Sequence, residues 1–418
     1  MNNNPRVLVI SNNGFSKTNS NGRTLGSLFK GWPKDKLAQF YISVDNLDYS
    51  VCENYFNVTD KEALLSLIFA TTKKGDENKS NKAKTLRKSK RTVFLTIARD
   101  FVWGLEMWKK KNFKQWLSAF NPEIVVIQSG DFPYLIRLAR EISKKFKAKL
   151  IFYNTEGYYF FNNNYMDKGC FDRILFPLFQ KYYRRVFNKA MHVSSHAVYL
   201  NELLKRDYDR IFNVSSTVIY NSSDIEKSSH TFNSSNPQIS YLGNLVMGRD
   251  DALIEFAEVL YSISPNLKLD IYGNANDKTL SKFKNVSAID YHGVVGYEEV
   301  KQITQESDIL IHVESQNEII KESLRYGFSG KIADCLLSAK PFIIYASRDY
   351  ACTMYLEKNE IGWVASSKME LREVLESILH NDIKRESVVE KSYQKALINH
   401  SLINNRRKFQ DIIISLCK

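Results

Sequence analysis

The chain is predicted to be an α/β protein built as two Rossmann-like, doubly wound domains facing a cleft. Three observations predict it. Short apolar runs alternate with stretches of helical apolar spacing along nearly all 418 residues. The series opens as strand, glycine-bearing loop and helix, at 6–11, 12–22 and 23–29. A Ser/Asn-rich stretch with Pro237, at 222–238, then interrupts the alternation, and a second strand-helix series follows it. The expected division is therefore 1–232 for the N-terminal domain and 233–395 for the C-terminal one. Residues 396–418 form a helix that packs back on the N-terminal domain.

In the first series the strands are expected at 6–11, 39–43, 124–128, 150–154, 190–196 and 217–221, with a helix over 197–205. Residues 60–120 read as a basic insertion. Within it, 73–91 holds nine Lys/Arg against Asp76 and Glu77, more than half of the chain's net charge of +13. It has few apolar residues and reads as a solvated loop. Beyond it Phe101, Leu105 and Trp108 recur at helical spacing, with Trp103 and Trp116 nearby and Lys109, Lys110, Lys111 and Lys114 around them. Such a stripe either faces an anionic membrane or meets the domain core with its lysines in water. Glu156 follows the strand at 150–154, where ligands bind in open α/β sheets. His196 reads as a structural strand-end histidine.

The second series has strands at 239–243, 267–272, 288–293, 308–313, 342–345 and 361–364. Asp250 is the expected N-cap of a helix over 251–262. The stretch 326–343 organises this half. Gly327, Ser329 and Gly330 form a turn, Lys331 opens a helix whose apolar positions are Ile332, Cys335 and Leu336, and Pro341 ends it. A glycine-bearing loop opening a helix directs free N–H groups at whatever lies in front, which suits phosphate, and Lys331 in the first turn fits an anion. The same stretch also reads as a plain loop-to-helix junction.

The totals exclude several classes. A net charge of +13 implies a polyanionic partner: nucleotide, nucleic acid or anionic lipid. No apolar run is long enough to span a bilayer. The N-terminus lacks a secretory apolar core, so a cytoplasmic chain is expected. The five cysteines are scattered without metal spacing and read as free thiols, and no metal site is expected. The strict Gly-x-Gly-x-x-Gly fingerprint is missing after the first strand, so a nicotinamide cofactor is not indicated. The basic run 73–91 lacks interleaved aromatics, and no nucleic-acid partner is expected.

The order of landmarks in 239–365 is similar to that of the retaining GT-B glycosyltransferases, and particularly resembles glycosyltransferase family four. Those landmarks are Gly243-Asn244 through Arg249, Tyr272-Gly273, Gly293, Asp308, Asp334 and Ala339-Lys340-Pro341. The pattern departs from the family in three places. Asn244 stands where the family has its first phosphate-binding cation. Tyr326 stands for the first of two glutamates spaced eight apart, and Asp334 for the second. Only Asn21-Gly22 represents the glycine pair after the first strand.

The resemblance implies a retaining, metal-independent transfer of a sugar from a nucleoside-diphosphate donor, a UDP-sugar by family habit. The acceptor would be a glycan or lipid-linked saccharide, in bacterial surface polysaccharide synthesis. The C-terminal domain would hold the nucleotide-sugar and the N-terminal one the acceptor. Arg249 and Lys331 would be the catalytic cations that stabilise the leaving diphosphate, with the N–H groups near Ser329 and Gly330. Gly22, Gly243, Asn244 and Gly273 would line the donor, Asp334 would hold the ribose, and Glu314 would face the donor sugar. Glu314, Glu318 and Glu322 are the candidates to replace the lost glutamate. Glu156 and Asn21 would contact the acceptor. No cofactor is implied. The basic, tryptophan-bearing insertion fits peripheral attachment to the inner face of the cell membrane. The rival reading is a non-catalytic GT-B partner or glycan-binding subunit of a sister transferase, supported by Asn244 and Tyr326. A GT-B sugar epimerase would need convergent carboxylates and a histidine that the chain scarcely offers.

Overall fold

The computed structural model describes residues 4–44, 46–69 and 91–417. Most of the lysine-rich run 73–91 lies outside the described residues. The chain divides into two compact units. The first comprises Met1–Tyr199, Lys205–Val218 and Arg406–Lys418, and the second Leu200–Leu204 and Ile219–Asn405.

The strands of the first unit are β1 (Val7–Ser11), β2 (Leu37–Tyr41), β3 (Asn54–Asn57), β4 (Ile124–Ser129), β5 (Lys149–Asn154), β6 (His196–Tyr199) and β7 (Ser216–Val218). They form one sheet in the order β3-β2-β1-β4-β5-β6-β7, parallel at every pairing. The helices met along this part of the chain are α1 (Ser20–Phe29), α2 (Asp60–Phe69), α3 (Val93–Gly104), α4 (Lys111–Phe120), α5 (Pro133–Phe146), α6 (Asp172–Met191) and α7 (Glu202–Asp209). Every residue of β1 and β2 is buried, as in a parallel sheet covered on both faces. The chain's final helix supplies Phe409 to this core, edge-on to Phe29 at 5.3 Å between ring centroids, while Arg406 Nε donates to Ser27 O at 2.8 Å.

The second unit repeats the plan with β8 (Ile239–Leu242), β9 (Leu269–Tyr272), β10 (Ile289–Gly293), β11 (Ile309–Val313), β12 (Phe342–Tyr345) and β13 (Trp363–Ala365). Their order is β10-β9-β8-β11-β12-β13, again parallel throughout. Its helices are α8 (Arg249–Ile263), α9 (Asp277–Phe283), α10 (Tyr297–Glu306), α11 (Glu318–Leu324), α12 (Lys331–Leu337), α13 (Ala351–Asn359), α14 (Lys368–His380) and α15 (Asp382–Asn399), and α16 (Leu402–Ser415) starts here and ends in the first unit. Leu253, Phe256 and Leu260 of α8, with Leu371, Leu375 and Ile378 of α14, fill one core with the strand residues Ile239, Ile271, Ile311 and Ile343. Two Rossmann-like domains are thus present, as the alternation of strands and helices predicted.

Two local expectations are corrected and one open alternative is decided. Residues 190–195 are not a strand. Helix α6 runs on to Met191, and β6 begins at His196, whose buried Nε2 lies 3.0 Å from Thr217 Oγ1. The apolar run around Met191 is the last turn of a long helix, which periodicity alone does not separate from a short strand. Asp250 is not the N-cap of α8. Gly248, in the left-handed region at φ +72°, holds that position, and Asp250 lies in the first turn, paired with Lys282 at 2.7 Å. The tryptophan stripe of 60–120 meets the core. Trp103 is fully buried and Trp108 nearly so, and Trp103 Nε1 donates to Asp60 Oδ1 at 2.8 Å. Phe101 and Leu105, read as one stripe with Trp108, are instead exposed.

Candidate functional site

In the second sheet the chain leaves β8 toward β9 on one side and leaves β11 toward β12 on the other. The loops after β8 and β11 therefore diverge, and ligands bind at such a switch beyond the C-terminal ends of the strands. The loop 243–248 ends at Arg249, the first residue of α8. The chain after β11 begins with Glu314. Arg249 Nη2 donates to Glu314 Oε1 at 2.8 Å, with the two side chains 16% and 6% exposed. His312 Nε2 lies 3.1 Å from the same oxygen. Burial would raise the Glu314 carboxyl, but its bonds to His312 and Arg249 outweigh that and hold it below the usual carboxylate range. Burial likewise disfavours the Arg249 charge, and Glu314 more than restores it. Two buried atoms of this pair, Arg249 Nε and Glu314 Oε2, have no hydrogen-bond partner among the described residues. The pair fixes the Arg249 guanidinium and leaves its Nε without a partner among the described residues.

The loops at this switch point are set by close backbone approach. Gly273 follows β9, and a Cβ there would sit 2.0 Å from the carbonyl oxygen of Gly243, far inside contact distance. Gly273→Ala is expected to cost about 2–3 kcal/mol of folding stability, read by chemical unfolding. Gly243 donates its N–H to Tyr272 O at 2.9 Å, and Tyr241 Oη donates to Asn244 O at 2.7 Å. The Asn244 side chain is turned inward on its own loop, with Oδ1 accepting from Val246 N at 3.0 Å. Tyr350 Oη donates to Ser315 O at 2.7 Å and so braces the loop after β11.

The organising loop 326–330 is held from two sides. Asn201 Nδ2 donates to Tyr326 O at 3.0 Å, and Asn221 Nδ2 donates to Phe328 O at 2.9 Å. Lys331 N donates to Ser329 Oγ at 3.3 Å. The backbone N–H groups of Ser329 and Gly330 have no partner among the described residues. Gly330 adopts an ordinary right-handed helical conformation, so the glycine there leaves the loop open rather than enabling an unusual backbone. Lys331 and Asp334 are half-buried in α12, and the Tyr326 side chain is buried. Among the alternatives for the missing glutamate, Glu318 is 83% exposed, whereas Glu314 is buried at the switch point.

Behind the loop stands a group that sequence reasoning missed. His400 is fully buried, with Nδ1 2.7 Å from Asn221 O and Nε2 3.0 Å from Tyr355 Oη. Asn221 therefore receives from His400 through its carbonyl and gives to Phe328 through its amide. The His400 ring also lies parallel to Phe328, 6.1 Å between centroids. Asn221 reads only as the end of the strand at 217–221, and nothing in the sequence around His400 marks it.

In the first unit, Asn19 caps α1 by accepting from Gly22 N at 3.1 Å, and Asn21 is exposed in the first turn. Gly22 is buried, and a Cβ there would meet Gly14 O at 2.2 Å, so its smallness serves the loop's own packing. Glu156 lies just past β5 and helps, after burial, to push the Tyr158 hydroxyl up to about 12. All five cysteines are free thiols. Among the described residues, no group of three His, Cys, Asp or Glu side chains is placed to hold a metal ion, and no helix is long and apolar enough to cross a membrane.

Comparison with known proteins agrees with this architecture. A family described as glycosyl transferase-like matches residues 249–411. No curated protein matches the sequence significantly. Among solved structures, Anabaena HepE in complex with UDP is similar with a TM-score of 0.65 at 10% identity, over 98% of this chain and 100% of that one. Sucrose-phosphate synthase from Thermosynechococcus elongatus gives 0.63 at 10% identity, over 99% of each chain. The lipopolysaccharide outer core galactosyltransferase WaaB, in its apo form, gives 0.63 at 13% identity, over 98% of this chain and 99% of that one. At these identities the likeness is one of fold. The chain has the GT-B fold, and its residues 249–411 match the glycosyl transferase-like family.

Proposed function

We propose that this protein is a glycosyltransferase that moves a sugar, with retention and without a metal, from a nucleoside-diphosphate donor to a glycan or lipid-linked acceptor. The observation that carries the reading is Arg249. It is a buried guanidinium at the switch point of the second sheet, fixed by Glu314 and left with an unused donor. Sugar transfer builds negative charge on the departing diphosphate, and a preorganised cation in a dry site is the strongest means of stabilising it. Its planar fork suits two phosphate oxygens at once. The N–H groups of Ser329 and Gly330 and the ammonium of Lys331 are proposed as the other donors to that diphosphate. Asp334 is proposed for the ribose, with Gly243, Asn244 and Gly273 lining the nucleotide. Glu314 Oε2, unpaired among the described residues, is proposed to receive a hydroxyl of the donor sugar. Gly22, Asn21 and Glu156 are assigned to the N-terminal side of the reaction, the latter two to the acceptor.

Uridine is the proposed base, in keeping with the fold relative HepE in complex with UDP. The placement proposed is the cytoplasm, peripheral to the membrane's inner face, in surface polysaccharide assembly. The test is a thermal-shift screen against UDP, GDP, ADP and CMP without metal, run on the native chain and on Arg249→Ala. A ligand at a hundred times its Kd stabilises the folded state by about 2.7 kcal/mol. A rise for UDP alone, lost in the variant, is the expected result. No rise with any nucleotide would favour the non-catalytic partner reading, to which the replacements Asn244 and Tyr326 belong.

A further inference from the structure

Helix α6 carries an exposed stripe that the first unit's core does not use. Phe171, just before it, and Ile174 and Leu178 within it are 76%, 63% and 59% exposed. Lys181, Arg185 and Lys189 continue the stripe and are exposed too. Every step along it is three or four residues, so the five helical side chains share one face, with Phe171 just ahead of them. The buried face of the same helix is aromatic, with Phe176, Phe179, Tyr183 and Phe187. The outer face is thus divided along its length, apolar in its first half and cationic in its second.

Helix α3 packs against α6 and exposes apolar residues of its own. Val93 at its start packs with Phe176 and Phe179, and Thr92 lies against Gly169, just ahead of α6. From this position α3 exposes Phe94, Leu95 and Phe101, with Leu105 just past its end. The cationic half borders a cavity of about 610 Å³ lined by Lys181, Arg184, Arg185 and Lys189 together with Asn162 and Asn188, and by no acidic residue. Arg184 is fixed there by the carbonyls of Tyr159 and Phe161 and by Asn162 Oδ1. Among the described residues Lys181, Arg185 and Lys189 make no salt bridge, so their charge is uncommitted.

We propose that the outer faces of α6 and α3 dock on an anionic lipid surface. The apolar half enters the boundary between headgroups and acyl chains, and the cationic half meets lipid phosphates. The charge pattern selects this occupant. A second copy of the chain would bring the same positive stripe to the contact, and a purely apolar partner would leave three cations unmatched. A membrane boundary supplies both an apolar layer and a negative one. The helix lies in the surface and does not cross it. The inference rests on none of the donor-site residues.

The test is co-sedimentation of the full chain with vesicles of phosphatidylglycerol and phosphatidylcholine, and with vesicles of phosphatidylcholine alone. Binding to the mixed vesicles is expected, and it weakens as salt is added. Each cation near such a surface contributes about fivefold to partition, so Lys181→Gln, Arg185→Gln and Lys189→Gln together should weaken binding about a hundredfold. Ile174→Asp with Leu178→Asp should abolish it. Both variants change exposed side chains, and both should keep the native melting temperature and the native response to UDP, which separates this surface from the donor site. Binding that is equal on both vesicles, or unchanged in both variants, would overturn the proposal. So would a dimer in light scattering that Leu178→Asp dissociates, because the face would then belong to a second copy.

Discussion

Arg249→Ala is expected to lower kcat and kcat/KM for sugar transfer together, by about a hundredfold to a thousandfold. In the proposed transfer the cation acts on charge that grows in the transition state, so its loss falls on kcat and not on donor affinity alone. Alanine also leaves Glu314 buried without its partner at 2.8 Å. Breaking one side of a buried pair costs about 3–5 kcal/mol of stability. A fall in activity alone would therefore be ambiguous. The double variant Arg249→Ala with Glu314→Gln removes the stranded charge and should recover much of the lost melting temperature while activity stays low. Arg249→Lys keeps the charge but loses the fork, and should recover only part of kcat. Steady-state kinetics with the nucleotide-sugar chosen by the thermal-shift screen would check all three. Undiminished kcat in the double variant would remove Arg249 from the chemistry.

His400→Ala is expected to destabilise the second unit by about 4 kcal/mol, through the cavity it leaves and the two partners it abandons. Those partners are Asn221 O and Tyr355 Oη, at 2.7 and 3.0 Å. Asn221 in turn holds Phe328 O, so the loop that presents Ser329 and Gly330 should loosen and donor affinity should fall with stability. The native residue also carries a pH signature. Burial drives the His400 imidazole down to about 4 in the folded chain. In the unfolded chain it binds a proton near pH 6.5, so between those values the unfolded state holds more protons. Stability from this group is present above about pH 6.5 and is lost as pH falls toward 4, by up to about 3 kcal/mol. Urea unfolding at pH 7 and pH 4.5 should show that loss in the native chain, and His400→Gln should show a shallower dependence. An equal slope in both would mean that other groups set the acid sensitivity.

The architecture was legible because its signals are local. Strand-length apolar runs such as Phe342–Tyr345 are buried on both faces of a parallel sheet and announce themselves without a partner. Pro341 bars helix through its own ring, whereas Gly273 is needed where its backbone meets that of Gly243. The errors arose where local chemistry has two solutions. Around Met191 an apolar run served helix as well as strand. Over 101–116, tryptophans beside lysines fit both a core and a membrane, and only packing decided that Trp103 goes inward while Phe101 stays out.

The sequence by itself determined the alternation of elements, the two-domain plan and the position of Arg249 after a strand-end glycine. Tertiary structure alone decided what Arg249 touches. Its partner Glu314 is 65 residues away, and the two meet only because β8 and β11 are neighbours in the sheet. It also decided the support of the loop at 326–330, since Asn201, Asn221 and His400 come from three separate segments. Hydrogen bonds between distant segments leave no periodic trace in a chain. They follow from strand order, which is settled when all the apolar faces are buried at once.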